Sequence, residues 1–275
     1  MSAGGDPKVV ILCGGLGTRL REETEYRPKP MVTIGDRPIL WHIMKGFSSH
    51  GFRDFVLCLG YKGEKIKEYF YNYDILNTSF TIELGSKKQV EFHYEIPEAD
   101  WRVTLADTGE HAMTGARVRR VAKYIEGDRF LLTYGDGVSN VDVRRLLEFH
   151  RAHGKTATVT GVHPPSRFGE LVVDDAGRVL EFAEKPQARG SYINGGFFVC
   201  ERSFFDYLED DDSCVLENEP LERLAAAGEL MTYRHDGFWA CMDTYRDFSY
   251  LNDLWSRGEA PWRVWDRAPS DPTPR

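Results

Sequence analysis

The sequence predicts an α/β protein built on a mixed, mostly parallel sheet flanked by helices, and three observations carry that expectation. The runs from Lys8 to Cys13 and from Phe55 to Leu59 are continuously apolar beyond their first residue and stop at glycine, as strands covered on both faces do. Amphipathic helical stripes separate such runs. The strand–helix alternation resumes further along the chain, which favours right-handed crossovers in a parallel sheet.

Taken in order, the first strand runs Lys8-Val-Val-Ile-Leu-Cys13 and ends at Gly14-Gly15. Pro38 opens a helix with Ile39, Leu40, Ile43, Met44 and Phe47 on one stripe. After the strand at residues 55–59, Ile66, Tyr69, Phe70 and Tyr73 recur at helical spacing. Between residues 74 and 105 the rhythm loosens, and Thr81, Val90, Phe92, Tyr94 and Ile96 read as hairpin material. This is the smaller β-rich insertion and the candidate oligomerisation surface. Val118, Val121, Ala122 and Ile125 then lead to the strand Phe130-Leu-Leu-Thr-Tyr134. A helix with Val143, Leu146, Leu147 and His150 precedes the strand Ala157–Val162. A hairpin is expected around Asp175-Ala-Gly177, then a strand at Phe197–Cys200, and a last helix from Thr244 with Phe248, Leu251 and Leu254 inward. Residues 1–265 read as one domain. The tail at 266–275, with three prolines, reads as loose.

At 275 residues, with 41% hydrophobic and 13% aromatic content, the chain can bury a sizeable core, which excludes low-complexity disorder. Its 35 basic and 43 acidic side chains give a formal charge of −8, which argues against a nucleic-acid partner while leaving room for a local phosphate pocket. No apolar run reaches 18 residues and the N-terminus lacks a signal-peptide pattern, so no membrane association is expected. Five scattered cysteines without zinc spacing suit reduced thiols and a cytoplasmic protein.

Six places in the chain could carry chemistry. Gly14-Gly-Leu-Gly-Thr-Arg19 follows the first strand directly, where glycines bring backbone N–H groups close to a phosphate and the Arg19 fork suits phosphate oxygens. It matches neither GxxxxGK[ST] nor a complete GxGxxG, because Leu20 takes the third position. In Pro28-Lys29-Pro30, flanking prolines hold Lys29 in one direction, as a cation for a transferred phosphoryl group or as a solvated lysine. Asp136, in Tyr134-Gly-Asp-Gly137 after an apolar strand, stands where a carboxylate would meet Mg²⁺ and phosphates, or forms a plain turn. Asp243 precedes the last helix and reads as a metal ligand or a helix cap. Glu184-Lys185-Pro186 and Asn194-Gly195-Gly196 offer partners for sugar hydroxyls and a sugar phosphate. No nucleophile motif stands out.

In this order, together with Pro38-Ile-Leu-Trp-His42, Asp107-Thr-Gly109, Met113-Thr-Gly115, Arg167-Phe-Gly169 and Met242-Asp-Thr244, these motifs resemble the sugar-1-phosphate nucleotidylyltransferase family over about residues 8–265. So many ordered motifs make the resemblance specific, and the branch it looks most like is the cytidylyl-transferring one. It implies a Rossmann-like nucleotide-diphospho-sugar transferase fold and the conversion of CTP and α-D-glucose 1-phosphate to CDP-glucose and pyrophosphate. It implies that Leu12, Cys13, Gly14, Gly15, Leu16, Gly17, Thr18 and Arg19 cradle the nucleotide with Gly135, and that Thr114, Gly115 and Arg117 lie toward the base. Arg19 and Lys29 become the catalytic cations, and Asp136 and Asp243 the Mg²⁺ ligands. Glu184, Lys185, Asn194 and Gly195 become the sugar-phosphate contacts. A homo-oligomer, with a hexamer as the family's form, is implied as well. Cys13 departs from the family's usual alanine, and Ala112 and Ala116 are less polar than expected of a base-reading stretch.

Three other readings compete: the same chemistry with UTP, dTTP or another sugar 1-phosphate, a dinucleotide-binding oxidoreductase, and a catalytically silent nucleotide sensor. The oxidoreductase lacks a complete glycine fingerprint, and the silent sensor sits badly with the presence of Arg19, Lys29, Asp136 and Asp243.

Overall fold

The computed structural model of the chain describes residues 5–85, 89–163, 170–174, 177–183 and 192–266. Its centre is a seven-stranded sheet formed by β1 (Val9–Leu12), β2 (Asp54–Leu59), β3 (Arg102–Asp107), β4 (Arg129–Tyr134), β5 (Ala157–Val162), β6 (Ile193–Glu201) and β7 (Leu230–His235). Across the sheet the order is β7-β5-β6-β4-β1-β2-β3. All neighbours pair in parallel except β6, which runs antiparallel to both β4 and β5. One consequence bears on the site: the start of β6, at Asn194 and Gly195, lies at the same edge as the carboxyl ends of the other strands.

Alternate side chains of each central strand point to opposite faces, and each face has its own core. Val9, Ile11, Phe55, Leu57, Leu131 and Val199 pack beneath α1 (Ile39–Ser49), α2 (Gly63–Tyr71), α4 (Val143–His153) and α6 (Tyr245–Ser256). Val10, Val56, Cys58, Phe130, Leu132 and Phe198 pack beneath α3 (Thr114–Arg120) and α5 (Glu219–Ala226). This two-sided burial is the physical cause of the unbroken apolar runs. Cys13, Cys58 and Cys200 are buried free thiols, and burial pushes all three up in pKa.

The expected elements form with shifted ends. The second helical stripe breaks at Asn72, leaving α2 followed by a short helix at Tyr73–Asn77. The hairpin at residues 170–183 is present, pairing Glu170–Val173 with Val179–Ala183. The insertion needs correction at one end. Its hairpin joins Phe80–Glu83 to Gln89–Phe92, but residues from Arg102 onward belong to the central sheet as β3. Strands β3 and β7 and helix α5 carried no clear sequence signal. Both strands lie at sheet edges and bury few side chains, only Ala106 in β3, so their apolar pattern is thin. The tail at 267–275 lies outside the described residues.

Candidate active site

The sequence turns at the end of β1 because glycine permits it there. The chain passes from β2 on one side of β1 to β4 on the other, so a crevice opens at the carboxyl ends of β1 and β4, where ligands of open α/β sheets bind. The Gly135 N–H donates to the Leu12 carbonyl at 2.9 Å, and a Cβ on Gly135 would fall 2.7 Å from that oxygen. Gly17 sits at φ +62°, a left-handed conformation that other residues adopt at a cost. A cleft of about 490 Å³ opens here, walled by residues 12–19, Lys29, Pro30, residues 110–114, Arg117, residues 134–136 and Asp243. That volume suits a nucleotide-sized ligand.

Asp136 and Asp243, 107 positions apart in sequence, are brought together by pairing of Gly137–Ser139 with Trp239–Cys241, and the Met242 N–H donates to the Asp136 carbonyl at 2.9 Å. Between the two carboxylates stands the Lys29 ammonium. Its Nζ donates to Asp136 Oδ2 at 2.6 Å and to Asp243 Oδ1 at 2.5 Å. Pro28 and the buried Pro30 fix the single turn at Lys29–Met31 that aims it there. Burial works against the Lys29 charge, but the two carboxylates outweigh it and hold its pKa above the usual value. Burial likewise opposes the Asp243 charge, and Lys29 and Arg19 more than offset it, leaving the carboxyl below its ordinary value. Arg19 donates to Asp243 Oδ2 at 3.0 Å while its side chain stays 74% exposed over the cleft mouth.

The helix-cap reading of Asp243 does not hold. Thr244 is the N-cap of α6, accepting from the Asp247 N–H in a reciprocal capping box. Asp243 is therefore free to serve the cleft. Two hard carboxylates at the mouth of an anion-sized cleft fit Mg²⁺, which takes one or two protein carboxylates and completes its shell with substrate phosphates and water. Among the described residues, no group of three or more His, Cys, Asp or Glu side chains could cage a metal alone.

Arg117 is only 4% exposed, and its guanidinium is spent on protein oxygens: the carbonyls of Gly14 and Leu59 at 3.0 Å, of Gly109 at 2.7 Å and of Glu110 at 3.2 Å, and the Thr108 hydroxyl at 3.0 Å. A Cβ on Gly14 or Gly60 would fall 2.2 or 2.3 Å from that guanidinium, which explains both glycines. Arg117 thus ties the glycine loop to the ends of β2 and β3. Thr114 lines the cleft, but its hydroxyl donates to Glu217 Oε2 at 2.6 Å and accepts from the Leu216 N–H at 2.9 Å. Gly115 does not line the cleft. Its N–H donates to the Cys214 carbonyl at 2.9 Å, and a Cβ would fall 2.5 Å from Cys214 Sγ, so it is there for close packing of α3.

On the sugar side, Asn194 Nδ2 donates to the Tyr134 hydroxyl at 3.1 Å, and Asn194 Oδ1 accepts from the Gly196 N–H at 2.9 Å. Gly195 lies against Val162 and Thr160, with its carbonyl accepting from Trp239 Nε1 at 2.8 Å. Glu184 and Lys185 lie outside the described residues. Two residues at the site escaped sequence reasoning as functional candidates: Tyr134, visible only as the end of a strand, and Glu217, hidden in an acidic stretch that reads as solvated surface.

Comparison with known proteins is consistent with this geometry. The nucleotidyl transferase family model matches residues 8–251. Glucose-1-phosphate cytidylyltransferase of Salmonella typhi is 53% identical over 260 residues, covering 94% of this chain and 100% of that protein. The probable glucose-1-phosphate cytidylyltransferase of Bacillus subtilis is 46% identical, again over 94% of this chain and all of its own. Among solved structures, HddC from Yersinia pseudotuberculosis complexed with GMP-PN superposes with a TM-score of 0.66 at 22% identity, over 90% of this chain and 99% of that one. UTP-bound UGPase from Acinetobacter baumannii gives 0.66 at 18%, over 90% and 93%. At these identities the two structures bear on the fold alone.

Proposed function

The chain belongs to the nucleotidyl transferase family, and from that premise we propose that it transfers CMP from CTP to α-D-glucose 1-phosphate, forming CDP-glucose and pyrophosphate. The observation that carries the choice of substrates is the 53% identity, extending over the whole length of a glucose-1-phosphate cytidylyltransferase. The site's chemistry supports the reaction class independently.

An oxygen of the sugar phosphate attacks the α-phosphorus of CTP, and the bond from that phosphorus to the bridging oxygen breaks opposite it, releasing pyrophosphate with the electron pair. The nucleophile is already an anion, so no general base or covalent intermediate is required; the need is for alignment and charge neutralisation. The backbone of the glycine loop faces the triphosphate, with Arg117 holding that loop in shape. Lys29 and Arg19 supply positive charge at the reacting phosphates. Asp136 and Asp243 would hold Mg²⁺, which would neutralise phosphate charge and orient the triphosphate. Lys29 bridges these carboxylates, and it would share them with the cation. Asn194 and Gly195, with Glu184 and Lys185, grip the sugar phosphate.

We assign the exposed apolar surface around the insertion to contact with a second copy of this chain. Tyr71, Leu84 and Tyr94 are 91%, 78% and 72% exposed, an unusual concentration for a free surface. Introducing Leu84→Glu with Tyr94→Glu should reduce the species seen by light scattering. An unchanged assembly would reject this surface. Among the described residues, no helix is long and apolar enough to cross a membrane.

The direct test is pyrophosphate release with glucose 1-phosphate and Mg²⁺, offering CTP, UTP, dTTP, ATP and GTP in parallel. CTP should be strongly preferred. Preference for another nucleotide would overturn the base assignment while leaving the reaction class intact.

A further inference from the structure

We propose that Glu217 is a positioning residue that couples the nucleotide and sugar-phosphate sides of the cleft, an inference that deepens the reaction proposed above and rests on it. Its carboxylate joins two walls that the chain brings together only through tertiary folding. Oε2 accepts from the Thr114 hydroxyl at 2.6 Å, on the first residue of α3, and Oε1 accepts from the Tyr134 hydroxyl at the end of β4. Thr114 and Tyr134 both line the cleft. From Tyr134 the chain of hydrogen bonds continues to Asn194 Nδ2 at 3.1 Å, and Asn194 Oδ1 is fixed in turn by the Gly196 N–H at 2.9 Å.

The direction of every proton in this relay follows from its ends. The Thr114 oxygen accepts from the Leu216 N–H, so its own hydrogen goes to Glu217. The Tyr134 oxygen accepts from Asn194, so its hydrogen also goes to Glu217. An ionised carboxylate is acceptor-only and takes both. A glutamine offers one acceptor oxygen and a donating NH₂, so it cannot accept from both hydroxyls through its two terminal atoms. Glu217 is exposed and, among the described residues, has no ion pair with lysine or arginine, so these two hydroxyls are its partners. The amide of Asn194 is thereby held in one orientation, with its second N–H hydrogen left without a partner among the described residues.

The test is a double-mutant cycle with Glu217→Gln and Tyr134→Phe, reading kcat and KM for each substrate alongside Tm. Tyr134→Phe should raise KM for glucose 1-phosphate about tenfold, the effect of one hydrogen bond with a charged partner in the relay, with KM for CTP changed less than about twofold. Glu217→Gln should raise KM for both substrates. The double variant should be no worse toward glucose 1-phosphate than the poorer single variant, because both act through Asn194. Additive effects, or unchanged KM values in a folded Glu217→Gln protein, would overturn the inference. If the wild type works with another nucleotide, the base assignment falls and the same cycle is read with that nucleotide. No turnover by the wild type with any pair would overturn both proposals.

Discussion

Replacing Lys29 with alanine removes the one cation that, among the described residues, touches both Asp136 and Asp243, at 2.6 and 2.5 Å. In the reaction, an ammonium aimed at a developing phosphoryl charge contributes about 3–4 kcal/mol, on the order of a hundredfold to a thousandfold in turnover. In the free protein the change also leaves two carboxylates facing each other. At roughly 5 Å and an effective dielectric of about 20 they repel by about 3 kcal/mol. Asp243, now held low against its burial by Lys29 and Arg19, should therefore titrate higher in the variant. The assay is pyrophosphate release from CTP and glucose 1-phosphate as a function of pH, with circular dichroism confirming the fold. We expect turnover to fall at least a hundredfold and the acidic limb of the pH profile to move upward. Wild-type turnover in a folded Lys29→Ala protein would refute the role. An unmoved acidic limb would refute the coupling to Asp243.

Three further outcomes follow from the same geometry. Asp243→Asn should cut activity about a hundredfold, whereas Thr244→Ala should cost about 1 kcal/mol of stability as loss of the α6 cap; a Thr244→Ala protein with unchanged Tm would reinstate Asp243 as the cap. Gly14→Ala should destabilise by about 1–3 kcal/mol, because its Cβ would fall 2.2 Å from the buried Arg117 guanidinium, and a variant with unchanged denaturant midpoint would show that Arg117 can yield. The stability difference between wild type and Lys29→Ala should be greatest at neutral pH. The Asp243 contribution is present above its ordinary 3.8 and lost as pH falls through its lowered folded value, while that of Lys29 is present below 10.5 and lost as pH rises through its raised one. Melts across pH that showed a constant difference would contradict the ion cluster.

Much of the central sheet is written in local sequence. Strands covered on both faces need apolar residues at every position, so β1, β2 and β4 are legible as runs, and the glycine or polar residue that ends each run marks the ligand edge. The edge strands β3 and β7 have no such requirement and were missed. Lys29 was legible because prolines advertise a fixed backbone, and Asp136 because it follows a buried strand. Arg117 was legible as a site residue, but not as a clamp: that role depends on five oxygens from three separate stretches of chain.

By itself, then, the sequence determined the buried central strands and the amphipathic helices beside them, and that the sheet is mostly parallel, and it singled out the glycine, lysine and aspartate residues to which we assign phosphate chemistry, because each of these rests on a short-range consequence of backbone freedom and burial. Tertiary structure alone decided that Asp136 and Asp243 share one ammonium and that Glu217 reaches both walls of the cleft. Those facts depend on distances between residues tens to more than two hundred positions apart, set by a strand pairing and a crossover that no local pattern encodes.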